Sequence, residues 1–319
     1  MGHKSQPRSG SLQIWPRKRA ERFLPGVNWN AIQNESAGLL GFIGYKVGMK
    51  SAFVKDNTPN SMTKDKKIVV PVTILEMPTL KIYSVRLYKN GICKTEITAN
   101  ADKELKRVMK IGKEIKLGKI EDLDKDKDFD DLRLIVYSQT RKAGIKKTPD
   151  VAEIGLGGSL DDKINFAKTN WSKEILASEI FKKLQLIDIR GLTKGKGHES
   201  AVKRFGIGLK SHKAEKGRRR PGSLGPWHPH LVTFRVAMSG QLGMFTRIIL
   251  NNKILEIGKI QEKNINPKSG WHKYGNISSE YLILRGSVPG PAGRQMLITR
   301  ALRKTKFQDK KNLELLELR

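Results

Sequence analysis

Apolar residues in this chain gather in short β-branched runs, and stripes of helical spacing are few. Lys67-Ile-Val-Val-Pro-Val-Thr-Ile-Leu75 predicts a strand, and so does Arg133-Leu-Ile-Val-Tyr-Ser138. The runs at 39–45 and 50–54 predict two short strands joined at Gly48. Strand signals return after residue 185, at 186–190, 231–237, 281–288 and 296–302. The stretch 246–258 predicts a hairpin turning at Asn251-Asn252, because Asn tolerates the positive φ of tight hairpins. Helical spacing is confined to the middle of the chain. It appears in Leu105, Val108, Met109 and Ile115, and again in Ile175, Leu176, Glu179, Ile180 and Leu184. A short helix is expected at 161–168, after a turn at Gly155-Leu-Gly-Gly158.

Early strands, an α-containing middle and late strands predict a mainly β fold. The expected architecture is a closed or partly open β-barrel interrupted by an inserted α+β unit, with long irregular basic extensions. On this reading 1–38 is an N-terminal extension, 39–79 the first part of the barrel and 80–184 the insertion. Residues 185–305 form the second part of the barrel and contain a basic central loop at 191–230, and 306–319 is a tail.

Charge then decides the partner. Sixty-two Lys and Arg oppose thirty-one Asp and Glu, a formal net charge of +31. Such self-repulsion calls for a polyanion to neutralise it. No apolar run approaches the roughly 18 to 20 residues of a membrane-spanning helix. The opening Met1-Gly2-His3-Lys4-Ser5-Gln6-Pro7-Arg8 leads into no signal-peptide core and lacks the Ser or Thr of a myristoylation site. Cys93 stands alone, so neither an intrachain disulfide nor a cysteine zinc cluster is available, as fits a reducing cytoplasm. A folded RNA, with neighbouring proteins, is the expected partner. DNA, a membrane and a second copy of the chain are not.

The excess charge is uneven. Residues 101–131 hold nine cations and ten anions and read as a solvent-facing excursion. Residues 190–220 hold eleven cations against Glu199 and Glu215, with glycine at 191, 195, 197, 206, 208 and 217. A long irregular segment inside a compact fold is normally functional. Glycine permits close backbone approach to phosphates, and Arg forks grip phosphate oxygens in pairs. Beyond it, Pro221-Gly-Ser-Leu-Gly-Pro-Trp-His-Pro-His230 carries Trp227 between two prolines with His228 beside it, a stiff tip suited to stacking on bases. Six cations between Lys4 and Arg22, with Trp15 and Trp29 nearby, describe an extension that orders on RNA. The expected RNA contacts are His3, Lys4, Arg8, Arg17, Lys18, Arg19, Lys194, Lys196, Lys203, Arg204, Lys210, His212, Lys213, Lys216, Arg218, Arg219, Arg220, Trp227 and His228.

Catalysis finds no support. Gly191-Leu-Thr-Lys-Gly-Lys-Gly197 lacks the spacing of a phosphate loop. His228 and His230 have no Cys, Asp or Glu near them in sequence to complete a metal site. The alternating Asp and Lys of 122–131 lack the glycine and closing glutamate of a calcium loop. Neither a cofactor nor a convergent acid, base or nucleophile is indicated. An RNA-modifying enzyme would need one of these, and a free RNA chaperone would not need Trp227 on a stiff tip.

Several segments in order resemble the archaeal and eukaryotic form of the L-three family of large-subunit ribosomal proteins. They are Pro7-Arg8-x-Gly10-Ser11, Gly41-Phe-Ile-Gly-Tyr-Lys-Val-Gly-Met49, and Asp150-Val-Ala-Glu-Ile154 with Gly157-Gly158. The most specific are Gly191-Leu-Thr-Lys-Gly-Lys-Gly197 with Val202-Lys-Arg204, Gly225-Pro-Trp-His-Pro229, and Gly240-Gln-x-Gly243. The resemblance implies a barrel of the translation-protein type on the outer face of the large subunit, with extensions reaching inward through ribosomal RNA. It also implies a role in subunit assembly and tRNA accommodation, and a central loop near the peptidyl-transferase region with Trp227 at its tip. The middle insertion implies an archaeal or eukaryotic member, and the short C-terminal end an archaeal one. His212 and its neighbours do not match the eukaryotic loop, so no modified histidine is carried over.

Overall fold

Long antiparallel strands, several of them apolar on both faces, build most of this chain. The computed structural model describes residues 13–32, 37–112, 117–121 and 128–319. The chain divides into a larger unit, Phe23–Gly191 with Ile248–Arg319, and a smaller one, Met1–Arg22 with Leu192–Arg247.

The larger unit contains two sheets. One has the strand order β1 (Gly38–Leu39), β7 (Val151–Gly157), β6 (Asp131–Ser138), β4 (Leu80–Lys89) and β5 (Ile92–Thr98). The other runs β13 (Gln295–Arg300), β8 (Leu186–Leu192), β11 (Thr246–Lys259), β12 (Glu280–Arg285), β3 (Lys67–Met77) and β2 (Gly41–Asp56), and ends on β14 (Leu313–Leu318). Because β13 also pairs with β2, from Gln295↔Tyr45 to Thr299↔Gly41, six of these strands close into a ring. The ring explains the continuous apolar runs. On β12, Tyr281 and Ile283 enter one core cluster while Leu282 and Leu284 enter another. A strand covered on both faces has no polar side to alternate with.

Several elements differ from expectation. The two short strands expected around Gly48 are one strand, β2, with a bulge between Lys46 and Gly48. A bulge bends a strand and lets it continue. One edge of β2 pairs with β3; the other pairs first with β13 and then with β14. The hairpin expected at 246–258 is likewise one strand, β11. Asn251 does adopt φ +56°, yet its N–H donates at 2.9 Å to Oδ1 of the buried Asp188, and no turn forms.

The helix expected from Leu105 onward is a 3-10 turn, Lys103–Arg107, in which Leu105 is buried and Val108 beyond it is exposed; Ile115 lies outside the described residues. The helix expected at 175–184 is the 3-10 turn Ala177–Glu179. Ile175 instead bridges to Leu80, and Leu184 turns left-handed at φ +64°. Helix α1 (Leu160–Thr169) falls where a helix was expected, capped by Ser159 and Asp162 in a reciprocal box. Strands β4, β5 and β7 were not anticipated. Of the alternating acids, 122–127 lie outside the described residues, while Asp131 pairs with Arg133 and Lys163.

The segment expected as a C-terminal tail is folded. Its short helix, Lys306–Lys310, leads into β14, which adds to β2. Lys253, 2% exposed, fastens this segment from β11: its Nζ donates to the carbonyls of Gln308 at 2.7 Å, Asp309 at 3.0 Å and Lys311. Burial lowers the Lys253 pKa, and its hydrogen bonds satisfy an ammonium otherwise costly to bury.

Candidate nucleic-acid interface

Within the smaller unit, two chain segments run together to make a stem. The N–H of Thr193 donates to Phe245 O at 3.0 Å and that of Lys196 to Leu242 O at 3.0 Å. Strand β9 (Gly197–Glu199) pairs antiparallel with β10 (Gly240–Leu242), from Gly240↔Glu199 to Leu242↔Gly197. Two glycines make this closeness possible. A Cβ on Gly243, at φ +76°, would lie 2.0 Å from the carbonyl oxygen of Lys194. One on Gly240 would meet the Arg204 guanidinium at 3.0 Å. The Gly240-Gln-x-Gly243 motif thus has a packing reason.

Above the stem, helix α2 (Ala201–Phe205) ends at Gly206 in the left-handed conformation, φ +68°. Ala201, Phe205 and Ala237 form a small core, with Trp15 and Ile207 packed against it. Arg204 ties the helix to the returning strand, donating from Nη1 to Met238 O at 2.6 Å and from Nε to Gln241 O at 3.0 Å. Burial lowers the Arg204 pKa from its ordinary value. The first part of the N-terminal extension joins the same core, whereas Trp29, expected to order on RNA with it, is 5% exposed in the core of the larger unit, donating to Glu153 O at 3.0 Å. Trp15 lies 6.4 Å from Phe205, and the Ala20 N–H donates to Met244 O at 2.9 Å.

The expected contact residues separate into groups. His3, Lys4 and Arg8 lie outside the described residues. Arg17 and Arg204 are half-buried, their guanidinium groups on protein carbonyls and aromatic faces. Lys203 is exposed and pairs with Glu199 at 2.9 Å. Lys18, Arg19, Lys194, Lys196, Lys210, His212, Lys213, Lys216, Arg218, Arg219 and Arg220 are exposed, and among the described residues no carboxylate pairs with them. The Lys210 N–H donates to Arg218 O at 3.1 Å, and Arg218 Nε returns a bond to Lys210 O at 3.2 Å. Left-handed Lys216 and Gly217 turn the chain between them, so Lys213, Lys216 and Arg218 share one small loop. Arg219 reaches Ser200 Oγ at 2.9 Å. Arg190, counted with the basic stretch, is instead buried in the larger unit, donating to Thr299 Oγ1 at 2.6 Å.

Trp227 is 75% exposed. Its ring stands edge-on to His230 at 4.4 Å, and His228 meets the same imidazole at 5.1 Å. Three rings therefore cluster at the tip. The strand expected at 231–237 does not form. Leu231, Val232 and Phe234 are exposed at 65%, 52% and 58%, and no strand pairs with them among the described residues. An apolar run needs a partner to become a strand, and here none is within reach. These residues, with the exposed Arg235, extend the surface beyond the residues expected from the sequence; their signal was direct continuity with the Trp-His-Pro-His segment.

Among the described residues no group of three metal-ligating side chains occurs, and no helix is long and apolar enough to cross a membrane. The surface that remains is basic, glycine-turned and tipped with aromatic rings.

The whole chain, residues 1–319, matches the family of ribosomal protein L3. The large ribosomal subunit protein uL3 of Methanocaldococcus jannaschii is 38% identical over 311 residues, covering 94% of this chain and 92% of the relative. That of Methanosphaera stadtmanae is 38% identical over 317 residues, covering 95% and 94%, and that of Methanobrevibacter smithii 38% identical over 315 residues, covering 93% and 92%. All three are archaeal. With a match from end to end and relatives this close over nearly their full length, the chain belongs to the ribosomal protein L3 family, whose members are structural proteins of the ribosome rather than enzymes.

Proposed function

We propose that this chain is a cytoplasmic structural component of the large ribosomal subunit, seated on ribosomal RNA by the smaller unit and by the N-terminal extension. The observation that carries the reading is the sorting of cations in that unit. Lys194, Lys196, Lys210, Lys213, Lys216, Arg218, Arg219 and Arg220 are exposed without a carboxylate partner among the described residues, while Arg17 and Arg204 brace the scaffold that carries them. Surface cations held at such density favour a phosphate backbone, and Trp227 with its two histidines offers faces for stacking. The loop points its tip toward the peptidyl-transferase centre and its basic flanks support assembly. The ring of strands acts as a barrel in two parts, 39–79 and 185–305, with 80–184 as an insertion between them. Neighbouring proteins of the subunit cover part of the remainder.

The test is the salt dependence of binding to large-subunit RNA. If these eight cations each neutralise one phosphate, log K falls against log salt with a slope of roughly −6 to −7. A slope shallower than about −2 would remove the loop as the electrostatic footprint.

A further inference from the structure

Strand β14 ends its sheet. It pairs with Ala52–Asp56 of β2 along one edge, and among the described residues no strand lies along the other. Among those residues, no backbone hydrogen bond beyond that pairing reaches Leu313–Leu318. Alternate N–H and C=O groups of such an edge point outward and can template another strand. Its two faces differ. Leu313 is buried in a core cluster with Ala52 and Val54, whereas Leu315 and Leu318 are only partly covered at the margin of that cluster. On the opposite face Glu314, Leu316 and Glu317 are exposed, Leu316 occupying a bulge between the two acids.

We propose that this edge docks an extended segment of another protein in which apolar and basic residues alternate. Its apolar side chains complete the cover over Leu315 and Leu318, and its cations stand beside Glu314 and Glu317. Three observations choose that occupant. The sequence of β14, Leu-Glu-Leu-Leu-Glu-Leu, is its own reverse. A second copy pairing antiparallel about the centre would set Glu314 against Glu317 twice, and like charges directly opposite are destabilising. The chain as a whole carries +31 and Lys55 stands opposite Glu314 on β2, yet both polar side chains of this six-residue edge are acidic, so a segment docking along it meets carboxylates that favour cations. Strand β5, which ends the other sheet, is treated differently. It carries Lys94, and its Thr98 carbonyl is covered by the Gly118 N–H at 2.8 Å. None of the β14 residues is among those proposed to hold RNA.

The test uses the full-length protein and a fluorescent peptide alternating valine and lysine, followed by anisotropy. Comparators are a valine–glutamate peptide and a valine–lysine peptide interrupted by prolines. The valine–lysine peptide is expected to bind against the overall charge, and the proline version is expected to fail. Glu314→Lys with Glu317→Lys should weaken binding about tenfold and shift preference to the valine–glutamate peptide. Both positions are exposed, and Glu314→Gln with Glu317→Gln, which keeps shape, should weaken it about threefold. Equal binding of the proline peptide, or an unchanged affinity in both double variants, overturns the proposal. So does dimerisation of the wild type that the lysine variant alters, or an effect of these variants on RNA affinity alone.

Discussion

The guanidinium of Arg17 lies 4.2 Å above the ring centre of Phe205. Its Nη1 also donates to the Arg204 carbonyl at 2.7 Å, so this cation is part of the scaffold. Arg17→Ala removes a cation–π contact of about 0.5 to 2 kcal/mol and a charge-assisted hydrogen bond of comparable size. Opening of the small core should become at least about fivefold more frequent. The readout is faster hydrogen exchange at Gly206, whose N–H bonds Val202 O at 2.9 Å. The slope of RNA affinity against salt should stay within about one unit of wild type. Unchanged exchange with a reduced slope would instead put Arg17 on a phosphate.

Gly243→Ala attacks the stem. The left-handed backbone alone costs an ordinary residue about 1 to 3 kcal/mol, and the collision with the Lys194 carbonyl adds to it because main chain cannot rotate away. Trypsin should cut at Lys194 and Lys196 much faster, while thermal melting of the larger unit is unmoved. Cutting at the wild-type rate would show that the pairing of 193–197 with 242–245 does not hold the base of the loop.

Stability should fall at alkaline pH, partly through Tyr281. Burial first, then the charges of Glu256 and Glu262, push its phenol up to about 12. The folded protein therefore keeps a proton that the unfolded chain releases near pH 10. This contribution is complete below about pH 10 and is lost as pH rises through the folded value. Urea midpoints of wild type and Tyr281→Phe should run parallel from about pH 7 to 9, and the wild type should drop more steeply above about 10. Parallel curves throughout would show an unshifted phenol.

Trp227→Ala and the joint replacement of Arg218, Arg219 and Arg220 by Ala should have opposite effects. Loss of one stacking ring removes about 1 to 3 kcal/mol of local contact, too little to outweigh the eight exposed cations proposed to meet phosphates. Subunits should therefore retain the Trp227→Ala protein while peptidyl transfer slows. The triple variant should lower occupancy first. Occupancy and peptidyl-transfer rate, measured on the same purified subunits, decide the matter. If Trp227→Ala unfolds the isolated protein and spares the rate, the ring is structural.

Runs of β-branched residues were legible as strands because burial on both faces leaves them uninterrupted, as on β12 and the second half of β3. Their continuity was not. Gly48 looks like a turn, and only its partners make it a bulge; Asn251 takes the expected positive φ, but Asp188, far away in sequence, captures its N–H. The basic loop was visible from charge alone. Which cations face outward was hidden, because the roles of Arg17, Arg190 and Arg204 depend on carbonyls, rings and the Thr299 hydroxyl brought together by the fold. For the same reason Leu231–Ala237 read as a strand: composition records the propensity and says nothing of a missing partner.

The closure of β14 on β2 has a consequence for the order of events during synthesis. Asn57, just past the end of β2, donates to Glu314 across 257 positions of chain. A chain made from its N-terminus forward thus displays the second half of β2 long before its partner exists. Separation itself costs little, since loop entropy grows only slowly with length; timing is the constraint. Until Lys253 receives the last carbonyls, Ala52–Asp56 stays an open edge among other growing copies. Lys50 and Lys55 lie on that strand, and lysine is the residue that most discourages one bare edge from adopting another.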